Sequence, residues 1–210
     1  MQRIDLDQWP RKEIFTFFSR MSYPFYSVSF QVDVTGVYDY VKPRGLSFYL
    51  ALCWLVCQAL NRVENFRYSI DQGEVWLLDG RKPSFTDIRK GEELFYIVTA
   101  ELLPELDDFC RAARAQSGAQ RCFIDDTRET QDLVYLSCVP TVDMTAITGE
   151  RDFDPDDTIP RVTWGKYIDK DGRKTLNMTL EVNHRTIDGY HIGRFAAELD
   201  GLITGLAGKN

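Results

Sequence analysis

The chain changes hydrophobic period several times, and each change marks an element. "YSVSFQVDV" (26–34) alternates strictly, with Val28, Phe30, Val32 and Val34 on one face and Ser27, Ser29, Gln31 and Asp33 on the other. That period of two predicts a half-buried strand. The run "FYLALCWLVCQAL" (48–60) is apolar almost all round and predicts a buried helix within 46–62. "DLDQWPRKEIFTFFSRM" (5–21) reads as a first helix, with Asp5 or Asp7 as cap and Pro10 in its first turn. "EVWLLD" (74–79) and "LFYIVTAEL" (94–102) read as strands, and 103–116 as an amphipathic helix. "LVYLSCVPTV" (133–142) predicts a strand of low charge. Residues 161–183 read as a hairpin turning at Lys170-Asp171-Gly172, its second arm alternating Leu176, Met178, Leu180 and Val182. The last helix, 189–206, gathers Ile192, Phe195, Leu199 and Leu202 into one stripe.

Long strands mixed with three or four helices make an α+β chain, a two-layer sandwich of a large mixed sheet with flanking helices. No repeat and no linker-like stretch divides it, so residues 1–210 are read as one domain. The hydrophobic share of 44% suffices for a core. A net charge of −7 argues against nonspecific binding to nucleic acid or to anionic membranes. The longest apolar run falls short of the roughly 18–20 residues of a membrane span. The charged N-terminus has no apolar signal core, so a cytoplasmic protein is expected. Five cysteines without a CxxC pair suggest neither a disulfide framework nor zinc; Cys53 and Cys57 read as core thiols.

Both histidines, His184 and His191, lie within "LEVNHRTIDGYH" (180–191), between a strand and a helix. From the residues alone, Asp188 caps the last helix, Gly189 eases the bend, and His184 is either a loop residue or a base placed at a strand end. A metal site lacks a fourth ligand.

The segment resembles the HxxxDG motif of the chloramphenicol acetyltransferase family. Four further stretches are similar to that family in order. These are "IDLDQWPRKEIFTFF" (4–18), "SFYLALCWLVCQALN" (47–61), "YLSCVP" (135–140) and "TWGKY" (163–167). The resemblance runs from about residue 4 to 202 and is weakest over 80–132.

The resemblance implies an acetyl-CoA-dependent O-acetyltransferase acting on chloramphenicol or a similar hydroxyl acceptor. His184 becomes the general base, since imidazole combines neutral form and basicity near neutral pH. Ser137 matches the serine that stabilises the oxyanion, with Thr163 assisting. Asp188 is implied to pair with Arg11 and support the turn rather than complete a triad. Lys166 is implied at the coenzyme A entry, and packing is read for His191. The family forms trimers whose active sites lie between subunits, so a homotrimer is expected, with no metal, nucleic acid or membrane partner. Departures cluster at the acceptor: Phe18 replaces a tyrosine, Thr141 a tryptophan, and Tyr26 stands about where an acceptor-stacking phenylalanine is expected. Asn183 replaces a histidine before the base. The alternatives are a different hydroxyl acceptor or a silent trimeric relative that only binds.

Overall fold

The computed structural model describes residues 1–208. In chain order the elements are β1 (Gln2–Arg3), α1 (Lys12–Phe18), β2 (Phe25–Asp33), α2 (Thr35–Arg44), α3 (Phe48–Asn61), β3 (Tyr68–Asp71), β4 (Glu74–Leu77), β5 (Lys82–Ile88), β6 (Phe95–Thr99), α4 (Leu106–Ala119), β7 (Leu133–Val139), β8 (Arg161–Gly165), β9 (Ile168–Lys170), β10 (Arg173–Asn183) and α5 (Gly189–Ala207). Seven strands form one mixed sheet in the order β2-β10-β8-β7-β5-β6, with β9 beside β10. The β5–β7 and β7–β8 pairs are parallel; the others are antiparallel. The expected two-layer α+β architecture is therefore present.

The strand alternation decides which face meets the helices. Met178 registers with Phe30 and Trp164, and Leu180 with Val28 and Val162. Leu136 registers with Val162 and Phe85. These residues belong to one core with Leu52, Leu55 and Val56 of α3 and Phe195, Leu199 and Ile203 of α5. The opposite face is hydroxylic. Ser29 registers with Thr179, Thr179 with Thr163, and Thr163 with Ser137. The row extends to Thr86, whose Oγ1 lies 3.3 Å from Ser137 Oγ.

α3 begins where Ser47 Oγ accepts the Leu50 N–H. Its Cys53 and Cys57 are buried, as expected of core thiols. The hairpin turn also holds: Asp171 and Gly172 have φ of 54° and 87°, a left-handed pair that an Asp-Gly sequence favours.

Other expectations change. The helix expected over 5–21 is confined to Lys12–Phe18. Asp5 and Asp7 cap nothing: Asp5 accepts the Asp7 N–H, and Asp7 pairs with Lys12. Trp9 and Phe15 are drawn instead into a second small core with Tyr68, Ile70 and Val75. The strand expected over 133–142 stops at Val139, leaving Thr141 in an exposed turn. α2, β3 and β5 were not legible. α2 contains Gly36, β-branched Thr35 and Val37, and Pro43, all weak helix formers. It forms because it packs against α3 and α5. A Cβ at Gly36 would stand 2.9 Å from the Ile203 carbonyl oxygen, so the close α2–α5 approach requires glycine. Pro83 near the start of β5 argues against an interior strand, yet β5 pairs on both sides.

The three-stranded sheet β1-β4-β3 joins the main body through Arg81, a fully buried cation. Its guanidinium donates to the carbonyls of Gln131 (2.8 Å), Leu133 (3.0 Å), Tyr68 (2.9 Å), Thr158 (3.2 Å) and Phe66. Burial pulls its pKa down to about 10. Arg81→Met is expected to destabilise the protein by about 3 kcal/mol or more, because these carbonyls would lose their donor in the interior. A urea unfolding midpoint within error of wild type would refute the clasp.

Candidate active site

β10 carries the chain to the site and the turn 184–188 redirects it into α5. The His184 N–H donates to the Pro24 carbonyl at 2.7 Å, which ties the turn to the approach of β2. The imidazole stacks on Phe18 at 4.0 Å between centroids and 14° between planes. Tyr26 lies on it at 4.4 Å and 35°. Two of the three residues expected near an acceptor, Phe18 and Tyr26, thus touch the expected base; Thr141 does not. Burial pushes the Tyr26 phenol up to about 12, with the Asp188 charge adding to it, so the hydroxyl stays protonated.

Arg11 is buried and clasps the turn at three points. Nε donates to the Arg185 carbonyl at 2.9 Å, Nη2 to the His184 carbonyl at 3.1 Å, and Nη1 to Asp188 Oδ2 at 2.7 Å. The expected Arg11–Asp188 pair is present and is one part of a larger grip. Asp188 is also the N-cap of α5, its Oδ1 accepting the Tyr190 N–H at 3.1 Å. Burial alone would raise the Asp188 carboxyl; the Arg11 hydrogen bond and the charges of His191 and Arg11 outweigh it and hold the carboxyl below its usual range.

His191 does more than pack, which corrects the expectation. Its Nδ1 accepts the Asp188 N–H at 3.2 Å, completing a reciprocal cap. Burial lowers its pKa, and the Arg11 and Arg194 charges act the same way against Asp188.

Two further residues secure the turn. Arg185, buried, donates to Ser19 Oγ at 2.9 Å, to the Pro155 carbonyl at 3.0 Å and to Asp156 Oδ1 at 2.5 Å. Its charge lies 4.7 Å from the Phe15 ring. Asn183 donates to the carbonyls of Pro155 (2.8 Å) and Asp157 (3.0 Å), while its Oδ1 accepts the Arg185 N–H at 3.0 Å. A primary amide offers two donors and an acceptor at one position, which a neutral imidazole cannot. The same segment is fixed by Arg151, bonded to Glu181 at 2.9 Å and Asp157 at 3.0 Å. No sequence period marks Arg151 or Arg185; their partners are carbonyls and carboxylates brought close by folding.

Ser137 and Thr163 sit side by side on the hydroxyl-bearing face, away from the helices. They do not meet His184 within one chain. Thr163 registers with Thr179, five residues before His184, and Ser137 lies one strand further away. At about 3.3 Å per residue and 4.8 Å per strand, that is roughly 15–20 Å. Lys166 is exposed just after β8, its N–H bonded to the Val142 carbonyl at 2.8 Å, so Lys166 and Thr141 lie at the Ser137 end of the sheet. Cys138 beside Ser137 is no candidate nucleophile: burial pushes its thiol up to about 12. Among the described residues, no His, Cys, Asp and Glu cluster could hold a metal ion, and no helix is long and apolar enough to cross a membrane.

The family model for chloramphenicol acetyltransferase matches residues 1–200. The chain belongs to the chloramphenicol acetyltransferase family. It is therefore an acyltransferase of that family. A chloramphenicol acetyltransferase of Clostridium perfringens is 30% identical over 206 residues, covering 96% of this chain and 94% of the relative. One from Clostridioides difficile is 30% identical over 210 residues, covering 96% and 95%. A solved chloramphenicol acetyltransferase superposes with a TM-score of 0.87 at 28% identity, over 96% of this chain and 99% of that one. The cubic core of a pyruvate dehydrogenase multienzyme complex shares the fold at a TM-score of 0.63 and 18% identity, over 91% and 87%.

The Arg11–Asp188 pair carries a pH signature. A carboxyl held below its unfolded value stabilises the fold above that value, and the contribution is lost as pH falls through the folded value. Asp188→Asn, which keeps a competent cap, should lower stability at pH 7. It should also flatten the decline between about pH 5 and pH 3. Parallel stability curves for variant and wild type would refute the assignment.

Proposed function

We propose that the chain, acting as one acetyltransferase unit over 1–210, transfers acetyl from acetyl-CoA to a hydroxyl of chloramphenicol or a similar small acceptor. The observation that supports this most is the construction of the turn. A single imidazole is held by its backbone on both sides, flanked by two rings, and backed by the Arg11 clasp. Among the described residues, no carboxylate is hydrogen-bonded to His184, and its Nδ1 is buried without a partner. Nε2 is then the nitrogen available to a substrate.

In the proposed step His184 Nε2 takes the proton of the acceptor hydroxyl as its oxygen bonds to the thioester carbonyl carbon. Ser137 donates a hydrogen bond to the resulting oxyanion, and Thr163, beside it, assists. The carbon–sulfur bond then breaks, and the leaving thiolate receives the proton from the imidazolium. Charge, proton and electron pair balance without a covalent enzyme intermediate. Lys166, exposed at the Ser137 end, would meet coenzyme A phosphates.

Because His184 and Ser137 stand far apart in one chain, the reading requires a second copy. A homotrimer would set the Ser137 face of one subunit against the His184 turn of the next. The acceptor pocket would include Phe18, Tyr26 and Thr141. Phe18 supports a reading in which the preferred acceptor differs from chloramphenicol: it brings an apolar ring, and no hydroxyl, face to face with the base.

A thiol-release assay with acetyl-CoA tests the proposal. Turnover is expected with chloramphenicol or another small alcohol, and His184→Ala should abolish it. Ser137→Ala should cost about 10²-fold to 10³-fold in kcat, the worth of one oxyanion donor. A Ser137→Ala enzyme at wild-type rate would remove Ser137 from the mechanism. The absence of turnover with every alcohol would favour a binding protein.

A further inference from the structure

We propose that His191 is a positioning residue for His184: in its neutral form it locks the Asp188 end of the Arg11 clasp, and its protonation loosens that lock. This rests on the reading of His184 as the base. Four contacts of the Asp188 carboxylate and N–H bear on this lock. Its Oδ2 accepts from Arg11 Nη1 at 2.7 Å, its Oδ1 accepts the Tyr190 N–H at 3.1 Å, its N–H donates to His191 Nδ1 at 3.2 Å, and its Oδ1 lies 3.0 Å from that same Nδ1. Nδ1 can hold the Asp188 N–H only while it carries no proton, so the proton of the neutral ring is on Nε2. Protonation turns Nδ1 into a donor. It then gives up the Asp188 N–H and bonds Oδ1, already at hydrogen-bond distance.

The exchange needs no large movement, yet it draws the carboxylate away from its other partners. Arg11 is the link to the base, since the guanidinium that holds Asp188 also holds the His184 carbonyl. The groups acting on the His191 ring are Asp188 at its own helix start, Arg11 ahead of α1, Arg194 on the next turn of α5, and Tyr190, whose ring lies at 5.6 Å. Two of these are cations and one is an anion already claimed by Arg11. Burial of the ring acts first and, together with the two cations, outweighs the Asp188 carboxylate, so the neutral ring is favoured. Both histidines of the chain would thus serve one turn, one as base and one as a cap that works only when uncharged.

Two variants separate positioning from mere packing. His191→Gln keeps an acceptor for the Asp188 N–H, as glutamine does at this place in a capping box, and cannot titrate. His191→Ala removes the acceptor. In kcat at pH 7, His191→Ala should fall about tenfold with little change in KM for acetyl-CoA, and His191→Gln should recover most of the loss. Below pH 6, kcat/KM of the wild type should fall more steeply than one proton allows, and that of His191→Gln with a single proton. Equal losses in both variants, or wild-type and His191→Gln profiles that coincide, would overturn the proposal. A second readout does not depend on acetyl transfer. Nitrogen-15 NMR of the imidazoles in the whole protein should show His191 as the Nε2–H tautomer, neutral at pH 6.5. A protonated ring or the Nδ1–H tautomer at that pH would overturn the proposal even in an active enzyme. The expected tautomer in a protein that acetylates nothing would sustain the cap and refute the reading of His184.

Discussion

Everything at the turn 184–188 depends on one buried guanidinium. Arg11 spends its donors on two carbonyls and one carboxylate, all within five residues of each other. A loop between a strand and a helix has several backbone groups with no partner in either element. Filling the space beneath it with a planar cation satisfies them together and fixes the backbone that carries His184. A lysine could not reach three acceptors in fixed directions. Removing the arginine would strand Asp188 and both carbonyls, so the clasp is brittle as well as firm.

Around that clasp the chain adds supports of the same kind. Asn183 and Arg185 bind the segment 155–157 beside the turn, Arg151 binds it to β10 through Glu181, and Arg81 joins the small sheet to the large one. Each is a polar group buried against backbone oxygens or carboxylates. Among the described residues, His184 is left with rings on its faces and no carboxylate on its nitrogen, an arrangement that orients it through its backbone. The oxyanion donor proposed for the same reaction is held differently, as one hydroxyl in a row crossing the sheet. Its regular register keeps Ser137 and His184 apart in one subunit, which is why the functional reading calls for a second.

The sheet was legible wherever its strands had one apolar and one polar face. β2 and β10 alternate cleanly, and their register puts Val28, Phe30, Leu180 and Met178 on the core side as the pattern implies. The buried helix α3 and the Asp-Gly turn were equally plain. The pattern misled where tertiary contacts overrode local preference. Residues 5–11 are charged and helix-compatible, but Trp9 is pulled into the small core and the helix starts only at Lys12. α2 contains Gly36 and Pro43, β5 contains Pro83, and both show little periodicity; packing against α5 and pairing with β7 create them. At the site, His184 and Asp188 were readable through the motif's spacing and resemblance, and Arg11 through resemblance alone. The roles of Arg185 and of His191 as a cap were not, because they are defined by atoms distant in sequence or by the direction of one ring nitrogen.

By itself the sequence determined the alternation of faces, the buried helix, the strand–turn–helix that carries His184, and the family to which that turn points. These are local matters, set by side-chain period and by the few residues able to bend the backbone. Only the tertiary structure decided which carbonyls Arg11 would hold, that Asn183 could stand where a histidine was expected, and that Ser137 would lie beyond the reach of His184 in the same chain. Those outcomes depend on strand order and register, and no short stretch of sequence encodes the distance between two strands that are not neighbours.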